Sequence, residues 1–196
     1  MPDKTPDQPR IAGVSFSLYP MCDNFIDLIL SAIKKVDSSK VWMKTDRVST
    51  IVRGRIPHIF DVTQAAFLEI AKTGEHVVYS ATFSVGCPGD TEGHAYMDAD
   101  EKTMNRELIE AVDQKLSAKF ALYPMGGGNY MDPIYEQIEA MKDHGVDVEL
   151  THYETMLEGA AHNIFNGLQS VLQAMEDAGS SHTVMAVTLS ANSPSA

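Results

Sequence analysis

The stretch FSLYPM, Phe16 to Met21, returns with one letter changed as FALYPM, Phe120 to Met125. Further matches follow in the same order. STIVRG at Ser49 to Gly54 lines up with ETMLEG at Glu154 to Gly159. EHVVYSATFSVGCPG from Glu75 lines up with SHTVMAVTLSANSPS from Ser181, sharing His76/His182, Val78/Val184, Thr82/Thr188, Ser84/Ser190 and Pro88/Pro194. The step between partners grows only from 104 to 106 residues, so two single-residue adjustments reconcile the halves. A period of half the chain means that a whole domain is duplicated.

Hydrophobic period gives the elements of each half. In the first, Val14, Phe16 and Leu18 alternate with Ser15, Ser17 and Tyr19, as in a half-buried strand. Asp23 or Asn24 can cap a helix carrying Phe25, Ile29, Ala32, Ile33 and Val36. Val41 to Asp46 and Val48 to Gly54 are expected as strands joined by a tight turn, Pro57 opens a second helix, and a last strand runs from His76 to Val85.

The second half repeats that order. A strand is expected at Lys119 to Tyr123, and a helix opened by Asp132 and Pro133. Strands at Val146 to His152 and Glu154 to Glu158 follow, then a helix from Ala161 stopped by Gly179, and a final strand at Thr183 to Ala191. The expected fold is α+β: a tandem repeat of two ferredoxin-like (β-α-β-β-α-β) domains with antiparallel sheets. The boundaries are 10–88 for the first repeat, 89–117 for a charged linker, helical from Glu101 onward, and 118–195 for the second.

In this plan two helices cover one face of each sheet and leave the other open. Alternation places Ser15, Ser17, Ser49, Ile51, Arg53, Ser80, Thr82 and Ser84 on the open face of the first repeat. It places Ala121, Glu154, Met156, Glu158, Thr188 and Ser190 on that of the second. Two similar concave surfaces rich in small hydroxyls are expected, suited either to a ligand or to an interface.

A net charge of −12 spread along the chain disfavours nucleic acid and anionic membrane, and mildly favours a cationic ligand. No apolar run reaches the roughly 20 residues of a membrane helix, and the polar N-terminus is unlike a secretory signal. The expected localisation is cytoplasmic. Two distant cysteines, Cys22 and Cys87, carry no CxxC spacing and are expected to be free thiols, Cys87 a non-reactive one because no helix follows it as a nucleophile elbow needs. MGGGNYM, Met125 to Met131, lacks the Lys-Ser/Thr of a phosphate loop and is expected to be a flexible turn. The seven histidines form no HExxH motif, so no metal site is expected. Arg53 is the one Lys or Arg expected on the open faces, which favours an unphosphorylated ligand.

The segments RIAGVSFSLYPM, SKVWMKTDRVSTIVRG, TFSVGCPGDT, FALYPM and LSANSPS closely resemble the YkoF family of thiamin- and hydroxymethylpyrimidine-binding proteins. The resemblance runs from Arg10 to Ser195. It implies a non-enzymatic, homodimeric binding protein that supports vitamin uptake through an ABC-type transporter. It implies no cofactor, with thiamin or hydroxymethylpyrimidine as the ligand. An aminopyrimidine edge suits hydroxyls and strand backbone, and the thiazolium suits an aromatic face. The candidate first site is Ser17, Tyr19, Asp46, Ser49, Thr82 and Ser84. The candidate second site is Tyr123, Tyr153, Glu154, Thr188 and Ser190. Two other readings stay open: a regulatory module sensing an amino acid or nucleotide on the same fold, and an enzyme, for which no nucleophile with an orienting partner is evident.

Overall fold

The alternation of Val14, Phe16 and Leu18 with Ser15, Ser17 and Tyr19 becomes strand β1 (Ala12–Pro20) in the computed structural model of the chain, which describes residues 10–87, 94–125 and 131–195. The chain continues through α1 (Phe25–Lys35), β2 (Trp42–Thr45), β3 (Thr50–Gly54), α2 (Ile56–Ala71) and β4 (Val77–Val85). A short linker helix, α3 (Arg106–Glu110), leads to β5 (Lys115–Met125), α4 (Met131–Asp143), β6 (Asp147–Leu150), β7 (Thr155–Ala160), α5 (Ala161–Asp177) and β8 (His182–Ala191). Both halves are β-α-β-β-α-β with antiparallel strands, as the hydrophobic periods require.

Local chemistry accounts for most boundaries. Pro57 stands in the first turn of α2, where its missing N–H costs nothing. Gly179, with φ 74°, follows the end of α5 in the left-handed conformation that ends helices. Asn24 is the N-cap of α1, but it makes no side-chain capping bond. β5 begins at Lys115, earlier than the alternation around Phe120 suggested, because Leu116 and Ala118 extend the same buried row. The linker helix is shorter than expected. The glycine-rich turn lies largely outside the described residues.

The strand order is β2-β3-β1-β4-β8-β5-β7-β6, a single eight-stranded sheet. The antiparallel sheets of the two ferredoxin-like repeats thus continue into one another. β4 pairs with β8 from Val77 opposite Ala191 to Val85 opposite Thr183. Each would otherwise be an edge strand with a row of unpaired N–H and C=O groups, and their pairing satisfies both rows. Ser80 faces Thr188 and Thr82 faces Ala186. The 106-residue step that carries Ser80 to Ala186 and Thr82 to Thr188 exchanges these two pairs, so a pseudo-twofold axis crosses the seam between them.

Helices α1, α2, α4 and α5 pack on one side of the sheet, with the core beneath them and the linker's α3 lying against α2. Tyr79 of β4 is fully buried at the seam. Its ring centroid lies 5.7 Å from that of Phe16, 5.8 Å from Phe67 and 6.1 Å from Phe165. Phe165 comes from α5, so one aromatic cluster belongs to both repeats.

The linker is pinned to the first repeat. Asp61 of α2 accepts hydrogen bonds from the Met104 and Asn105 N–H groups and, at 2.7 Å, from Asn105 Nδ2. Asn105 in turn joins Asp37 through both backbone groups, at 2.7 and 2.9 Å. His58 Nε2 meets the Asp100 carbonyl at 2.6 Å, and Arg55 donates to the Ala99 carbonyl at 2.7 Å.

Burial raises the Asp61 pKa, outweighing the hydrogen bonds that lower it. The folded state therefore holds the Asp61 proton more tightly than the unfolded chain does. That contribution is fully present below the ordinary carboxylate pKa and is lost as pH rises through the raised folded value. Asp61→Asn removes the titration and adds only a pH-independent offset. Urea unfolding of both proteins from about pH 3 to about pH 7 should show the parent losing stability relative to Asp61→Asn as pH rises. A constant difference, or one of opposite slope, contradicts this.

Candidate functional site

Pairing between β1 and β3 stops at Phe16 opposite Thr50, yet β1 runs on to Pro20. Beyond Phe16 the outer edge of β1 faces the β2–β3 turn in place of a strand. The result is a cleft of about 190 Å³ lined by Phe16 to Tyr19, by Ile29 and Ile33 of α1, and by Thr45 to Thr50. It combines an apolar floor with hydroxyls and an unpaired strand edge.

The turn is preorganised. The Asp46 N–H donates to the Ser49 carbonyl at 2.9 Å, while Asp46 Oδ1 accepts from the N–H groups of Val48 at 2.7 Å and Ser49 at 2.9 Å. The Ser49 and Val48 N–H groups hold the Asp46 carboxyl below its ordinary pKa. Ser17 Oγ donates to the Val48 carbonyl at 3.0 Å, and Ser15 Oγ donates to Ser49 Oγ at 2.9 Å. Tyr19 stands at the rim, 52% exposed. Four of the six candidate residues of the first site, Ser17, Tyr19, Asp46 and Ser49, thus meet around one cleft. Asp46 acts there through the turn it holds.

Thr82 and Ser84 do not line that cleft. Thr82 lies beside Ser15 on the open face, and Ser84 is farther along, opposite Gly13. Ser84 Oγ pairs with His182 Nε2 at 3.0 Å, and Ser190 Oγ with His76 Nε2 at 3.1 Å. The pseudo-twofold axis exchanges these Ser–His pairs, each spanning the seam. Sequence reasoning missed them because each joins one repeat's histidine to the other's serine. Among the described residues no carboxylate orients either ring through its second nitrogen, so these form no triad there.

The second repeat keeps the hairpin and changes its chemistry. Pairing of β5 with β7 stops at Phe120 opposite Thr155. The Thr151 N–H donates to the Glu154 carbonyl at 3.2 Å, as Asp46 does to Ser49. Ala121 replaces Ser17, and half-buried Glu154 replaces Ser49, its carboxylate without a partner among the described residues. Tyr123 is 53% exposed, like Tyr19. Tyr153 stands at the hairpin tip, 98% exposed and with φ 72°. Tyr123, Tyr153 and Glu154 therefore gather near this hairpin, whereas Thr188 and Ser190 lie on the seam.

The open face carries more positive charge than alternation in the sequence suggested. Register places Lys44 opposite Ile51, and Lys119 opposite Thr188, so both join Arg53 on that face. Arg53 lies over the Trp42 ring, 5.6 Å from its centroid. Alternation within one strand does not reveal Lys44, whose face is set by the β2–β3 register, nor Lys119, which lies inside a β5 that begins at Lys115. Arg47 also lines the first cleft. Among the described residues no group of three or more His, Cys, Asp or Glu side chains is placed to hold a metal.

Comparison with known proteins gives a family match over both repeats. Residues 11–90 and 115–196 match the model described as "YKOF-related Family". A protein of Bacillus subtilis (strain 168) named "Putative HMP/thiamine-binding protein YkoF" is 46% identical over 186 residues, covering 95% of this chain and 92% of its own. A crystal structure of a hypothetical protein from Methanocaldococcus jannascii aligns with 39% of this chain and 78% of its own, at 21% identity and a TM-score of 0.36.

A left-handed conformation costs a non-glycine residue about 1 to 2 kcal/mol, and Tyr153, 98% exposed, has little beyond a tilted contact with the His152 ring, 6.2 Å between centroids, to offset it. Tyr153→Gly should therefore raise stability by about 1 kcal/mol in urea unfolding. Unchanged or lowered stability would mean that the tip is held by contacts of the tyrosine ring.

Proposed function

The chain belongs to the YKOF-related family, and on that premise we propose that it binds thiamin, or the hydroxymethylpyrimidine that thiamin contains, without transforming it. The observation that carries this reading is the cleft between β1 and the Asp46–Ser49 turn. Its hydroxyls and free strand edge suit a flat heterocycle with an amino donor beside ring-nitrogen acceptors. Ile29, Ile33 and Phe16 supply an apolar bed for the ring. The name carried by the Bacillus subtilis relative points to the same ligand class.

The thiazolium half of thiamin is cationic, and a protein of net charge −12 attracts it over distance. Tyr19 and Tyr123 at the two rims offer ring faces to such a cation. Binding without turnover fits the state of the cleft's polar groups. Ser17 Oγ is committed to a carbonyl, Ser49 Oγ to another serine, and Asp46 to two backbone N–H groups, so no base is poised on a nucleophile.

We further propose one site per repeat, with unequal affinities. The second site loses the Ser17 and Ser49 hydroxyls and gains the Glu154 carboxylate. A charge-assisted bond contributes about 1.5 to 3 kcal/mol, against about 1 for each neutral hydroxyl lost. Homodimerisation, a cytoplasmic location and delivery of ligand to an ABC-type transporter complete the proposal, on the family resemblance. No helix among the described residues is long and apolar enough to cross a membrane.

Calorimetric titration with thiamin tests both parts. Two sites per chain are expected. Ser49→Ala should weaken one by about 1 kcal/mol, roughly fivefold. Glu154→Gln should weaken the other, the more so at low salt. A single site, or parental affinities in both variants, would refute the two-site assignment, and no heat with either thiamin or hydroxymethylpyrimidine would refute the ligand.

A further inference from the structure

The duplication also builds a cavity on the helical side of the sheet, remote from both hairpins. Its volume is about 690 Å³, within the roughly 300 to 1,000 Å³ of small-molecule sites. Two of its walls are equivalent positions of the central helices. The 105-residue step that carries Ser49 to Glu154 also carries Pro57 to His162, Asp61 to Asn166 and Gln64 to Gln169, and all six of these helix residues line the cavity. The third wall is the linker, through Ile109 and Val112. The linker occurs once in the chain, so the symmetry of the two helices is broken there.

Two groups on α2 define what the cavity can hold. Gln64 is 6% exposed, and its buried Nε2 has no hydrogen-bond partner among the described residues. Native structures rarely leave such a donor unpaired. One helical turn earlier lies Asp61, 5% exposed. Its Oδ2 accepts three N–H groups, but its Oδ1 has a single contact, 3.3 Å from the Asn105 N–H. An unused donor and an acceptor with spare lone pairs therefore sit at i and i+3 on one helix face.

Charge narrows the choice. Asp61, Glu110 and Asp113 line the cavity against Arg106, whose Nε already donates to Glu110 at 2.6 Å. The site opposes anions. Ile109, Val112 and Pro57 add apolar surface that a ring can cover.

We propose that this cavity is a separate small-molecule site for a neutral amino-substituted nitrogen heterocycle, such as a nucleobase or nucleoside. A ring nitrogen or carbonyl of the ligand accepts from Gln64 Nε2, and its amino group donates to Asp61. The site is independent of the hairpin clefts and of the thiamin reading.

Adenosine and cytidine are the probes, with adenosine monophosphate as the anionic control, followed by amide chemical shifts and by calorimetry on the full chain. At least one nucleoside should shift the resonances of Gln64, Ile109 and Gln169. Gln64→Leu deletes an unpaired buried donor, so its melting temperature should be equal or higher, while nucleoside affinity falls about tenfold. The monophosphate should bind more weakly than adenosine. The proposal is overturned if neither nucleoside moves the cavity resonances at about 5 mM, a concentration that reveals even millimolar binding. Shifts confined to the hairpins, parental affinity in Gln64→Leu, or tighter binding of the monophosphate would overturn it equally.

Discussion

The antiparallel pairing of β4 with β8 is the constraint on which the rest of the molecule depends. A ferredoxin-like unit ends on a strand with one edge unpaired, and two such units in one chain can cover each other's edge. Once they do, the sheet has eight strands, and the two central helices α2 and α5 are brought side by side over the seam. Phe67, Tyr79 and Phe165 then pack as one aromatic group, with ring centroids within 6.1 Å of their neighbours. The same pairing sends the two β-hairpins, β2–β3 and β6–β7, to opposite ends of the sheet. The two hairpins are therefore far apart.

The two halves keep their skeleton and differ in their chemistry. Both first strands outrun their neighbours after an equivalent phenylalanine, Phe16 or Phe120, and both hairpins close a four-residue turn with the same backbone bond. The backbone edge is thus common to both. The first hairpin uses Asp46 to hold its own N–H groups and presents Ser49. The second holds its turn with Thr151, whose Oγ1 donates to the Glu154 carbonyl at 2.6 Å, and presents a carboxylate without a partner among the described residues and a strained tyrosine. Change at the turn after duplication gives one fold two hairpins of different polarity.

Most of the fold was legible in the sequence because period and repetition are local signals. The rows Tyr79, Ala81, Phe83, Val85 and Met185, Val187, Leu189 are buried as their alternation required, with Ser80, Thr82 and Thr188 exposed behind them. What was not legible is which strands lie side by side. Alternation assigns Ser84 and Ser190 to the open face, but only the β4–β8 register reveals that each meets the other repeat's histidine. The cleft itself was partly visible: Ser17, Tyr19, Asp46 and Ser49 were candidates, whereas Ile29, Ile33 and Arg47 were not. Their role depends on where β3 stops pairing with β1, a tertiary fact. The cavity between α2 and α5 was invisible for the same reason, although the equivalence of Gln64 and Gln169 was in the repeat throughout.

The central claim is that the seam makes the two repeats a single cooperative unit. Native-state hydrogen exchange tests it most directly, because exchange resolves the free energy of opening strand by strand. The account predicts that the amides of β4 and β8 between Val77 and Val85 and between Thr183 and Ala191 share one protection level, equal to that of global unfolding and the highest in the chain. Two distinct levels, with β4 following the first repeat and β8 the second, would show that the repeats open independently and would contradict it.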